Sequence, residues 1–147
     1  MPPRIALCLL LLVGRSATAY SEPSTPSVSS GPAVTDQRSL IKRLHALNIE
    51  ASWEDEIDQP FFSVTGKTLK MYGDGVQAFE YPDAVSAKTD AARISRDGMK
   101  IGTAQLQWIG PPHFYLGGRL LVLYVGHAPA ILKALESVLG KPFAASE

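Results

Sequence analysis

Apolar residues first fall into a helical rhythm at Leu40, Ile41, Leu44 and Leu47, with Thr35 or Asp36 placed to cap the start and Asn48 suited to the exit. Arg38, Lys42 and Arg43 fill the opposite face. The rhythm then changes. In IEASWEDEI, Ile49, Ala51, Trp53 and Ile57 share one parity and Glu50, Ser52, Glu54 and Glu56 the other, which is the period of a half-buried strand. Lys67 to Tyr72 and Val76 to Tyr81 read as the strands of a hairpin around Gly73-Asp74-Gly75, residues that tolerate positive φ.

Pro82 ends that hairpin, and Asp83 caps a helix with Ala84, Ala87, Ala91 and Ile94 on one stripe. Arg96-Asp97-Gly98 is a turn, and Ile101 to Trp108 reads as a strand. In PPHFYLGGRLLVLYVG, His113 to Leu116 and Arg119 to Val125 flank Gly117-Gly118 as a second hairpin. Leu120 to Val125 is apolar at both parities and belongs in mid-sheet. Pro129 opens a last helix with Ile131, Leu132, Leu135, Val138 and Leu139 on its apolar face, and Gly140 closes it. This series predicts an α+β fold, a mainly antiparallel sheet with helices packed on one face. Gly75 to Ala91 and Gly118 to Ala134 superpose at a fixed shift, Tyr81 on Tyr124 and Ala87 on Ala130, which suggests a duplicated ββα unit.

The N-terminus changes the picture. Arg4, an apolar block from Ile5 to Val13, and Ala17-x-Ala19 form the pattern of a secretory signal peptide over residues 1–19. The block is shorter than the roughly 20 apolar residues a membrane span requires, so no transmembrane segment is expected after cleavage. SEPSTPSVSSGP follows, within a disordered leader expected over 20–34. A single domain is expected over 35–144. Cys8 is the only cysteine and lies in the signal block, so the cleaved chain is expected to have no disulfide and no thiolate. With Arg4 and Arg15 removed, 12 basic residues face 14 acidic ones, which argues against nucleic acid as a partner.

The phrases GVQAFEYPDAVSAKTDAARISRDG, PPHFYLGGRLLVLYVG and ALESVLGKPFA together resemble a group of small bacterial envelope proteins, many of them lipoprotein-like, that have no assigned activity. The resemblance spans roughly Leu40 to Ala144 and implies a secreted, periplasmic or cell-surface-associated domain. The chain departs from the lipoprotein members in lacking a well-placed lipobox cysteine, and the group offers no active site to carry over.

For chemistry, His113 is the sharpest candidate: it follows two prolines, shares a strand face with Tyr115, and has Arg119 across the turn. Glu80, between Phe79 and Tyr81, is a candidate acid. The bland alternatives are a strand-edge hydrogen bond for His113 and an outward ion pair for Glu80. Glu54, Asp55, Glu56 and Asp58 lack the spacing of a calcium loop, and His45 and His127 stand apart, so neither a metal nor a cofactor is expected. Phe61 and Phe62, with His113 and Tyr115, are candidate binding residues, because two adjacent rings after Pro60 do not readily both point inward. Nucleophile-elbow, zincin and phosphate-loop motifs do not occur. The reading is a non-enzymatic envelope module that binds a protein or other envelope partner. Its alternatives are a small hydrolase using His113 and a carrier of a small ligand.

Overall fold

The structure is a computed structural model that describes residues 31–147. The expected signal peptide and the leader through residue 30 lie outside the described residues. Of the remaining leader, Val34 is buried in the core, so the folded domain begins earlier than residue 35.

Helix α1 (Gln37–Ala46) starts at Asp36, whose carboxylate accepts the Ser39 N–H at 2.7 Å while the Ser39 hydroxyl receives the Asp36 N–H. It is followed by β1 (Ala51–Ile57), β2 (Gly66–Met71) and β3 (Asp74–Glu80), then α2 (Ala84–Ala91) behind its Asp83 cap. The short β4 (Lys100–Ile101) and β5 (Ala104–Gln105) form their own hairpin. Next come β6 (Pro112–Gly117), β7 (Leu120–Val125), α3 (Pro129–Leu139) and β8 (Ala144–Ala145). The main sheet has six strands in the order β1-β2-β3-β7-β6-β8, and all its pairings are antiparallel.

The α+β class and the mainly antiparallel sheet stand as expected. The helices, however, divide between the two faces. Leu120, Val122 and Tyr124 of β7 pack with Leu40 and Leu44 of α1 and with Ile131 and Leu135 of α3. Leu121 and Leu123 pack on the other side with Ala87 and Ala91 of α2 and with Phe62, Phe79 and Phe114. A strand apolar at both parities requires cover on both sides, and α2 supplies the second. The ββα order does occur twice, as β2-β3-α2 and β6-β7-α3. Because β3 and β7 are antiparallel neighbours, a rotation that overlays the hairpins keeps each helix on its face. The two segments therefore share an order of elements but not a shape.

Local details also shift. The first hairpin turns at Tyr72-Gly73, with φ of 52° and 81°, and Asp74-Gly75 already belong to β3 opposite Met71 and Lys70. The second turns at Gly118-Arg119, since Gly117 pairs with Leu120. The strand expected from Ile101 to Trp108 breaks at Gly102, where φ is 61°, into the β4-β5 hairpin. In β1 the register slips between Trp53 and Glu56, leaving one residue more on β1 than on β2. That bulge sends Trp53 to the α1/α3 face and Ile57 to the α2 face, although the two residues share a parity.

Candidate functional site

The sequence candidates are divided along the sheet. His113 pairs with Tyr124, stacks beside its ring at 6.2 Å between centroids, and donates from Nε2 to the Gly126 carbonyl at 3.0 Å. Tyr115, two residues on, is fully buried beneath the helices. Its hydroxyl has no hydrogen-bond partner among the described residues. Burial, the Glu136 carboxylate and the neighbouring Tyr124 push its pKa up to about 12. Glu80 pairs across from Leu120, four residues along β7 from the partner of His113, or roughly 13 Å at strand rise.

Glu80 and Arg119 do meet, at 3.0 Å, and Arg119 also lies 3.7 Å from Asp36. Glu80 accepts the Gln37 N–H at 2.9 Å, which places a carboxylate on the first turn of α1 where the helix dipole favours it. The Arg119 N–H donates to Thr35 and its carbonyl accepts from Tyr81. This cluster, one guanidinium shared by two carboxylates, ties the start of α1 to the β3-β7 end of the sheet. The double glycine before it provides a seat: a Cβ on Gly117 would come within 2.7 Å of the Val34 carbonyl, and one on Gly118 within 2.7 Å of Thr35.

Phe61 and Phe62 both turn toward the molecule. Phe62 is buried 4.7 Å from the Phe79 ring, and Phe61 makes edge contacts with Phe62 at 4.9 Å and with Trp108 at 6.0 Å. Edge-to-face packing lets two adjacent rings share one apolar cluster.

Asp90 is a residue the sequence reading passed over. It is the one buried charged residue among those described, and it sits on the stripe of Ala87 and Ala91. Its Oδ2 accepts from the Tyr81 hydroxyl at 2.8 Å, the Ser63 hydroxyl at 2.9 Å and the Ser63 N–H at 3.1 Å, and Oδ1 accepts from Arg93 at 3.1 Å. Burial alone would raise its pKa, but the donors from Tyr81, Ser63 and Arg93 prevail and hold it below the usual carboxylate value. Burial, reinforced by the hydrogen bond to this carboxylate and its charge, pushes the Tyr81 hydroxyl far upward. With its oxygens taken up by these donors, the arrangement fastens the 58–65 loop to α2.

A further concavity lies elsewhere, where α1 passes into β1. A cleft of about 560 Å³ is bounded by Asn48, Glu50 and Ser52 on one side and by Lys70, Tyr72 and Gly73 on the other. A second hollow, between α3 and the Leu47-Ile49 segment, also has Tyr72 in its wall, so the ring stands between the two. Tyr72 is 59% exposed. Asn48 and Tyr72 are the two non-glycine residues with positive φ among those described, at 57° and 52°, and both border this cleft. Asparagine takes this conformation readily at a helix exit, whereas for Tyr72 it is strained. Turn glycine and asparagine advertise themselves in a sequence; a tyrosine in that conformation does not.

Among the described residues no group of three or more His, Cys, Asp or Glu is placed to hold a metal, and no helix is long and apolar enough to cross a membrane. No family model matches the chain, and it matches neither a curated protein nor a solved structure.

Proposed function

We propose that this chain is a non-enzymatic module of the bacterial envelope that binds a partner through the cleft bordered by Asn48, Ser52, Lys70 and Tyr72. The observation that supports the reading is the exposed Tyr72 ring, held on a strained turn between two hollows. A large aromatic side chain covers much contact area at a small cost in rotamer freedom, which makes it an effective anchor. The secretory pattern of residues 1–19 supports a location outside the cytoplasm. Cell fractionation with N-terminal sequencing tests the location: the chain is expected outside the cytoplasm, beginning at Tyr20. Immobilised wild type and Tyr72→Ala test the binding role. Envelope components retained by the first and released by the second support it, and equal recovery by both would sink it.

A hydrolase built on His113 draws little from the geometry. Arg119 and Glu80 are engaged with each other and with α1, and Tyr115 is sealed beneath the helices. His113→Ala is expected to leave ligand retention unchanged.

A further inference from the structure

Extending the binding role just proposed, and resting on it, we infer that the cleft takes an uncharged, polyhydroxylated ligand of the sugar-chain type, with Tyr72 as its stacking platform. The floor follows from the strand register. Ser52 pairs with Lys70, Lys70 with Gly75, and Thr68 with Gln77, so these side chains share one face of the sheet. It is the α2 face, yet α2 and the aromatic cluster cover it only from Gly66 and Phe79 onward. Toward the Tyr72 turn, Ser52, Glu54, Lys70 and Gly75 are exposed.

This surface is polar and carries one negative charge in excess. Lys70 meets Glu54 at 3.4 Å, so the one cation of the floor is already matched, and Glu50 adds a carboxylate at the border. An anionic ligand would face two acids, and a purely apolar one would bury hydroxyl, amide and charged groups without partners, which is costly. The Tyr72 ring adds one flat apolar surface at the margin of this polar floor. A pyranose ring has the matching anatomy: a flat C–H face to lie on an aromatic ring, and hydroxyls that both donate and accept. The volume lies within the roughly 300–1,000 Å³ of ligand clefts. Self-pairing through the adjacent β1 edge is disfavoured, because Glu54, Asp55 and Glu56 of two copies would be brought together.

The experiment is a titration of the ¹⁵N-labelled protein with chitotetraose, with maltotetraose, and with decalysine as the charged comparison. Concentrations run to roughly 10 mM, beyond the millimolar Kd of a shallow site. Saturable shifts from at least one oligosaccharide are expected at the amides of 48–52 and 70–73. Tyr72→Ala is expected to weaken binding by about tenfold, the loss of one aromatic anchor, while Tyr72→Trp retains it. If neither oligosaccharide moves these amides, or if a sugar binds elsewhere or is indifferent to Tyr72→Ala, the ligand class is overturned. Decalysine or an envelope protein binding here, dependent on Tyr72 where sugars fail, removes the sugar inference and leaves the binding role standing. If the cleft is silent to all of these and to envelope extracts, both fall.

Discussion

Tyr72 occupies a conformation in which an L side chain costs about 1–2 kcal/mol, at the first central position of a two-residue hairpin that prefers Asn-Gly. Tyr72→Asn is therefore expected to raise stability by about 1 kcal/mol in urea titration while weakening ligand binding about tenfold, as loss of the ring does in Tyr72→Ala. Were stability unchanged, the strain argument for the site would lapse. Asp90 should show the opposite behaviour. Replacing it by Asn sets an amide nitrogen among the donors of Tyr81 and Ser63 and removes the charge they satisfy, for a loss of roughly 3 kcal/mol. Tyr115→Phe removes a buried hydroxyl that lacks a partner among the described residues, and should be neutral or stabilising by up to about 1 kcal/mol. Of these three residues, the sequence pointed only to Tyr115. Asp90 left a faint trace, a carboxylate on the same stripe as Ala87 and Ala91, but a burial site for it needs Ser63 and Tyr81, which only the tertiary fold brings near.

At the level of elements, local chemistry was readable and register was not. Asp36, Asp83, Pro129 and Gly140 mark the helix limits because capping needs only neighbours along the chain. Gly73-Asp74-Gly75 suggested a longer turn than forms, since cross-strand pairing of Met71 with Asp74 decides where the hairpin closes. The bulge in β1 falls within Glu54-Asp55-Glu56, where every residue is polar and parity carries no signal. The distribution of helices between faces was likewise hidden, although the doubly apolar Leu120 to Val125 already demanded cover on both sides. That cover is testable. Leu120→Ala and Leu121→Ala point to opposite faces, and each should cost about 3 kcal/mol by cavity formation in denaturant titration. A negligible effect at Leu121 would mean that α2 does not seal its face.

For the whole molecule, the titrating groups set a window of stability. The Asp90 carboxyl is held below its ordinary value of 3.8, so the folded state binds that proton more weakly than the unfolded chain. Its contribution is complete above that value and is lost as the pH falls through the lower folded one. Tyr115, raised to about 12, and Tyr81 and Tyr124, also raised, act in the reverse sense: their contribution is complete below the ordinary 10.0 and is lost as the pH climbs past it. Urea midpoints should thus be level between about pH 5 and 9 and decline on both sides, with a shallower acid limb in Asp90→Asn. The seat that Gly117 and Gly118 make for Val34 and Thr35 has a consequence for orientation as well. The chain joins the domain beside the Glu80 end of β3, and the Tyr72 ring stands at the other end of that strand, roughly 20 Å away. Mooring through the preceding residues would hold the molecule by one pole and leave the opposite one, with its aromatic outpost, directed away from the support.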